Sequence, residues 1–109
     1  MTGRLILSGQ ARKYLRGLAH SLKPIVLIGQ KGASASVSQA LEQALLKHEL
    51  VKVKFIEGKT KSQKYQKISV LEKQTGAHMV GMIGHIAIFY RPHPEADKRK
   101  ITLPSSVDH

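Results

Sequence analysis

Residues 29–32 read Gly-Gln-Lys-Gly and stand between an apolar run and a helix-like stretch. Gly29 and Gly32 let the backbone take positive φ and let a ligand come close. Lys31 adds a cation beside Gln30, and no acid stands in the turn. A helix starting directly behind it offers unpaired N–H groups and the positive end of its dipole. Such a corner suits a phosphate. It lacks the length and the Gly-Lys-Ser/Thr ending of a nucleotide-hydrolysing P-loop, and it lacks the dinucleotide fingerprint. A Gly-x-x-Gly alone is a weak signal, and a tight turn without a ligand is the plain alternative. The relevant comparison is with nucleic-acid modules that clamp a backbone through a GXXG loop.

Other chemistry finds little footing. The histidines, His20, His48, His78, His85, His93 and His109, form neither a helical i, i+4 pair nor an HExxH arrangement. His48, near a helix end, and His85, at a turn, read as structural. Glu42, Glu49, Glu57, Glu72, Glu95, Asp97 and Asp108 show no pairing for general acid–base work. There is no cysteine, which excludes thiolate catalysis, disulfides and Cys-ligated zinc. The expectation is a protein that is not an enzyme, with no metal, no cofactor and no small-molecule substrate.

Positive charge is plentiful. Lys and Arg number 18 against 7 Asp and Glu, a net charge of +11 with a pI near 10.2. That excess points to a polyanion, a nucleic acid before an anionic membrane. The 109 residues are 41% hydrophobic, which fits one folded domain with a modest core. No apolar run reaches the length of a membrane span, and the start is too short in apolar residues for a signal peptide. A soluble cytoplasmic protein is expected.

The elements that must position the turn follow from periodicity. Residues 1–7 read as a loose entry. Ser8 can cap a helix running to about residue 21, with Ala11, Leu15, Leu18 and Leu22 as its buried stripe. Arg12, Lys13, Arg16 and His20 fall on its remaining surface. Lys23-Pro24 stops it. Residues 25–28 are continuously apolar and mostly β-branched, the pattern of a buried strand. After the turn, Ser34 or Ser36 caps a second helix with Val37, Leu41, Ala44, Leu45 and His48 inward. Residues 50–55 alternate, with Val51, Val53 and Phe55 on one face and Lys52 and Lys54 on the other. Strict alternation predicts a face not covered by helices, a sheet presenting lysines. Residues 59–75 read as a third helix with Tyr65, Ile68, Leu71 and Thr75 inward. Lys59, Lys61, Lys64 and Lys67 crowd its first half, against the dipole, which suggests an offsetting ligand. Gly76 is its C-cap. Residues 78–83 and 85–90 form a hairpin around Gly84. Phe55 and Phe89 are expected in the core; Tyr90 is left open. The basic tail from Pro94 is expected to be partly ordered.

The order α-β-α-β-α-β-β predicts an α/β two-layer sandwich, a four-stranded mixed sheet with helices on one face. Residues 1–104 read as one domain and 105–109 as a tail.

Five stretches together resemble the CRM-domain family (chloroplast RNA splicing and ribosome maturation), in particular its free-standing bacterial YhbY-like members. They are residues 15–20 (LRGLAH), 24–28 (PIVLI), 29–32 (GQKG), 44–54 (ALLKHELVKVK) and 83–92 (IGHIAIFYRP), in the family's order. The resemblance covers roughly residues 8–104. It implies a fold like the C-terminal domain of translation initiation factor three, and RNA binding through the loop and adjoining basic surface. It implies association with precursors of the large ribosomal subunit and their rRNA. Carried over by position, Gly29, Gln30, Lys31 and Gly32 match the loop. Arg12, Lys13 and Arg16 match the basic first helix, Lys52 and Lys54 the second strand, and Arg91 the closing Tyr-Arg-Pro. The alternative is a basic interaction or scaffold protein that meets an acidic protein partner.

Overall fold

The computed structural model describes residues 7–29, 32–57 and 60–104. Of the loose entry expected over residues 1–7, residues 1–6 lie outside them, as do Gln30, Lys31, Lys59 and the tail 105–109. Helix α1 (Gly9–Ala19) starts at Ser8, whose Oγ accepts the Ala11 N–H at 3.0 Å. Strand β1 is Val26–Ile28, α2 Ala35–His48, β2 Leu50–Phe55, α3 Lys61–Thr75, β3 His78–Ile83 and β4 Ile86–Tyr90. A 3₁₀ turn at Ala96–Lys98 follows. The sheet order is β1-β2-β4-β3, with β1 parallel to β2 and the other pairs antiparallel. The expected α/β class, element order and four-stranded mixed sheet are therefore present.

The layering differs in one respect. Val51, Val53, Phe55, Ala87 and Phe89 face α2 and α3, together with Leu41, Leu45, Ile68 and Leu71. Leu50, Ile88 and Tyr90 point to the opposite face and pack on Ala11, Leu15 and Ala19 of α1. Helices thus lie on both faces, and the expectation of helices on one face fails for α1. Lys52 is accordingly not presented on an open face. It is only 9% exposed, and its ammonium donates to the Leu22 carbonyl at 2.9 Å. Strict alternation failed as a sign of an open face because a lysine can lie under the edge of a helix if a carbonyl receives its charge.

Other phases shift for local reasons. The stripe of α1 is Ala11, Leu15 and Ala19, so Leu18 falls to one side and Leu22 beyond the helix end, each 38% exposed. The small alanines let α1 settle close to the sheet. Strand β1 is an edge strand, and its Ile25 and Leu27 flank are 54% exposed while Val26 and Ile28 are buried. A continuous apolar run therefore did not mean burial on both faces. In α2, Leu41 and Leu45 are buried but His48 is exposed. In α3, the inward set is Lys64, Ile68, Leu71 and Thr75, and Tyr65 turns out. Lys64 closes the β3–β4 turn, donating to the Gly84 carbonyl at 3.0 Å and meeting His85 Nδ1 at 3.2 Å. Thr60 and Gln63 form a capping box at the start of α3, and Gly76 ends it at φ 75°. Phe55, Phe89 and Tyr90 are all core residues.

Glu49 joins α2 to β2 at φ 65° and is 1% exposed. Its carboxylate accepts three backbone N–H groups from the C-terminal segment: His93 at 2.7 Å, Lys100 at 2.7 Å and Ile101 at 2.9 Å. These bonds hold residues 93–101 against the body, with Ile101 and Leu103 packed beside the α1 cluster.

Candidate functional site

The loop is assembled by β1, α2 and α3. The Gly32 N–H donates to the Gly29 carbonyl at 3.0 Å. The Ser34 N–H donates to the Gly32 carbonyl at 2.9 Å, and Ser34 Oγ caps α2 by accepting from Val37 N–H at 3.4 Å. No acid stands in the first turn of α2, so the positive end of its dipole is uncompensated.

The two glycines differ in what the fold asks of them. Gly32 sits at φ 65°, where a side chain is strained, and a Cβ there would lie 3.0 Å from Lys67 Cε. Gly29 is outside the left-handed region, and a Cβ there would meet only Ile56 Cδ1 at 3.8 Å, an ordinary contact. The packing around residue 29 therefore has room for a side chain. Close approach of a ligand backbone would use that room.

Lys67 is the residue that sequence reasoning did not assign to the loop. Its stem lies over Gly32, and its ammonium is 3.7 Å from the position a Gly32 Cβ would take. This puts a cation beside a helix N-terminus, an arrangement that repels other cations and favours an anion between them. The one available signal was the crowding of lysines at the start of α3. Their distribution was not legible, because Lys64 turns into the body while Lys67 turns to the loop.

The remaining predicted residues divide by location. Lys54 is exposed on β2, in register with Leu27, two residues before Gly29. Lys13 is exposed on α1. Arg12 and Arg16 lie over β3, where their Nη1 atoms donate to the carbonyls of Met79 at 3.1 Å and Val80 at 3.0 Å. A register shift between Met79 and Gly81 marks a bulge at this point. Strand β3 is three strand intervals from β1, about 14 Å across the sheet. Each guanidinium keeps further donors, and neither pairs with a carboxylate among the described residues, so both charges persist. Lys52 is buried, as described. Arg91 clasps Glu42 in a two-pronged ion pair, Nη1–Oε1 2.6 Å and Nη2–Oε2 3.0 Å, and donates to the Thr75 carbonyl at 2.7 Å. The Arg91 hydrogen bond holds the Glu42 carboxyl below its usual pKa, against an opposing effect of burial. Arg91 follows Tyr90, which pairs with Leu50 at the start of β2, the end of the sheet away from the loop. Its charge is spent in tying α2 and α3 to β4.

Among the described residues no group of three His, Cys, Asp or Glu side chains could hold a metal ion. No helix among them is long and apolar enough to cross a membrane.

The CRS1 / YhbY (CRM) domain family matches residues 7–91. A Haemophilus influenzae protein named "RNA-binding protein" is 42% identical over 98 residues, covering 90% of this chain and 95% of that one. A "probable RNA-binding protein" of Pseudomonas aeruginosa is 30% identical over 94 residues, covering 86% of this chain and 89% of its own length. The solution structure of a Staphylococcus aureus hypothetical protein, assigned a candidate RNA-binding role, superposes with a TM-score of 0.75 at 29% identity. It covers 91% of this chain and 100% of that one.

Proposed function

This chain belongs to the CRS1/YhbY (CRM) domain family, and from that premise we propose that it is a non-enzymatic RNA-binding protein of the cytoplasm, acting on rRNA in precursors of the large ribosomal subunit as an assembly factor. The observation that carries the reading is the corner at Gly29 and Gly32. There a position with room for a side chain carries none, a helix N-terminus lacks an acid, and the Lys67 ammonium lies alongside. In this reading the backbone N–H groups of the GXXG loop, Gly29-Gln30-Lys31-Gly32, seat one phosphate, with Lys67 as the flanking cation. Lys54 extends the positive surface along β2. Arg12 and Arg16 form a second positive ridge over β3, where carbonyls hold them in place and they offer their remaining donors, and Lys13 adds an exposed cation on the same helix. Arg91 serves the scaffold, since Glu42 already neutralises it. Counterion release supplies much of the affinity and makes it salt-dependent.

The test has two parts. Tagged protein is sedimented from a cell lysate at low and moderate salt, and RNA is extracted from each fraction. Co-migration with large-subunit precursors that is lost at higher salt supports the reading. Salt-sensitive binding to many RNAs withdraws the ribosomal part alone, and sedimentation as free protein at every salt overturns RNA binding. In the second part, Gly29→Asp fills the room at the loop with a negative charge. It is expected to weaken RNA binding while the thermal unfolding profile stays that of the wild type. Lys67→Ala should lower the slope of log affinity against log salt by about 0.7 on single-stranded RNA. Unchanged RNA binding by folded Gly29→Asp would remove the loop from the interface.

A further inference from the structure

α1 ends at Ala19 and leaves β1 uncovered on its side of the sheet. The opening is a groove of about 400 Å³. Leu18 and Leu22 line it from the α1 side, Ile25 from β1 and Ile101 from the C-terminal segment. Leu18, Leu22 and Ile25 are exposed aliphatic side chains, a contiguous apolar surface of the kind that marks a binding groove.

Three features distinguish this groove from an incidental dip. Its outer wall is built: Ile101 is placed there by the bond from its N–H to the buried Glu49 carboxylate. Its lining includes Lys52, nine-tenths buried, whose ammonium has the Leu22 carbonyl as acceptor and no carboxylate partner among the described residues. An ammonium carries three donors, and a buried charge is costly unless paired or well hydrogen-bonded. Further, Lys23 and His48 also line the groove, and no acid does. The groove therefore offers aliphatic walls, a covered cation and a basic margin.

We infer that this groove takes one unpaired nucleotide of RNA, its base between the aliphatic walls and a base carbonyl on the Lys52 ammonium. The inference rests on the RNA-binding reading and adds a base-recognising site to a corner that reads only phosphate. The volume is that of a small-molecule pocket. It suits a nucleoside better than an amphipathic helix, whose diameter with side chains is about 10–12 Å. Enzymes that extrude a base hold it in the same way, between aromatic or apolar side chains with hydrogen bonds to its edge. The basic margin at Lys23 suits the phosphates that flank such a nucleotide. The two sites also share a strand. Ile25 lies at one end of β1 and Gly29 at the other, about 13 Å apart, so a single RNA strand can place a phosphate at the loop and a base in the groove. The chemistry of Lys52 selects further. Uracil and guanine present carbonyl oxygens, whereas adenine has none.

The experiment compares the intact chain on three RNAs at fixed salt: a blunt duplex, the same duplex with an oligouridine extension, and the same duplex with an oligoadenosine extension. The wild type is expected to bind the uridine-tailed RNA about tenfold or more tightly than the blunt one, the scale of burying one side-chain-sized apolar surface. Ile25→Ser and Leu22→Ser, both at exposed positions, should remove most of that gain and leave blunt-duplex affinity unchanged. Lys52→Met, checked for folding by its thermal transition, should erase the preference for uridine over adenosine tails. Methyl resonances of Leu18, Leu22 and Ile25 should shift on addition of oligouridylate alone. Equal wild-type affinity for tailed and blunt duplexes overturns the groove and leaves the RNA reading standing. A gain that survives both serine variants overturns it as well. Binding to no RNA, even at low salt, brings down the RNA reading itself. Methyls that ignore oligouridylate but shift with an acidic leucine-rich peptide make this a protein-docking groove and end the inference.

Discussion

Gly29 and Gly32 frame the same loop, yet a methyl group at each would have opposite consequences. At Gly32 the backbone sits at φ 65°, and the added Cβ would press on the Lys67 stem at 3.0 Å. Gly32→Ala should therefore lower stability by about 1–2 kcal/mol, the cost of a left-handed conformation for a residue with a Cβ. At Gly29 the nearest atom is 3.8 Å from the Cβ position and φ is not left-handed. Gly29→Ala should then be neutral to within about 0.5 kcal/mol, as for other unstrained surface changes, with any gain coming from a less flexible unfolded chain. Urea denaturation of the two variants measures both quantities. Equal losses would mean that residue 29 is also a structural glycine, and its use as an opening for a ligand would lose its basis.

At the scale of elements, the seating of α1 on β3 is the feature that reshapes the fold from two layers to three. It depends on a bulge. The register shift between Met79 and Gly81 coincides with the carbonyls that receive Arg12 and Arg16. Gly81 leaves space for the Arg16 stem, since a Cβ there would fall 2.6 Å from Arg16 Cδ and 2.9 Å from Cγ. Gly81→Ala should displace Arg16 and cost about 1 kcal/mol, the typical net value of one hydrogen bond. In an Arg16→Ala background the same change should cost clearly less, because the clash and the bond are both already gone. Additive losses would show that Gly81 acts through its own backbone. These contacts also mark what was legible in the sequence. The Ser8 cap, the Gly76 C-cap and the turn at Gly84 are set by residues within a few positions of one another, and each is where the sequence puts it; of the two serines offered for the α2 cap, the structure uses Ser34. The left-handed turn at Gly32 was legible for the same reason. Lys52, Lys64 and Arg91 were misplaced or unassigned because the groups that take their charge lie 30, 20 and 49 residues away. A lysine's pattern in sequence looks the same whether its ammonium meets water or a distant carbonyl.

Over the whole molecule, charge is sorted by direction. Glu42 is engaged by Arg91, Glu49 by backbone N–H groups of the C-terminal segment, and Glu72 by the Met79 N–H at 2.9 Å. Much of the small acidic complement is thereby tied to internal donors, while Lys13, Lys54 and others remain exposed. Among the described residues the exposed charge is thus mostly positive, which suits a polyanion and opposes self-association. The same sorting sets how stability responds to alkali. Tyr90 is buried beside Glu49, and burial first, then the Glu49 charge, pushes its phenol up to about 12 from 10.0. A neutral acid whose pKa is higher folded than unfolded contributes full stability below the unfolded value. That contribution is lost as pH rises through the window from 10 to about 12. The loss should reach about 2–3 kcal/mol at the top of the window. The wild-type curve alone mixes this loss with every other effect of alkali. Tyr90→Phe separates them, because it keeps the ring and every lysine and removes only the phenol. Its stability relative to wild type should be constant from pH 7 to 9 and rise steadily above pH 10, read as the difference in urea midpoints. Parallel curves throughout would mean that the phenol ionises as readily in the folded chain as in the unfolded one, and that Glu49 and the core around it do not penalise a second negative charge.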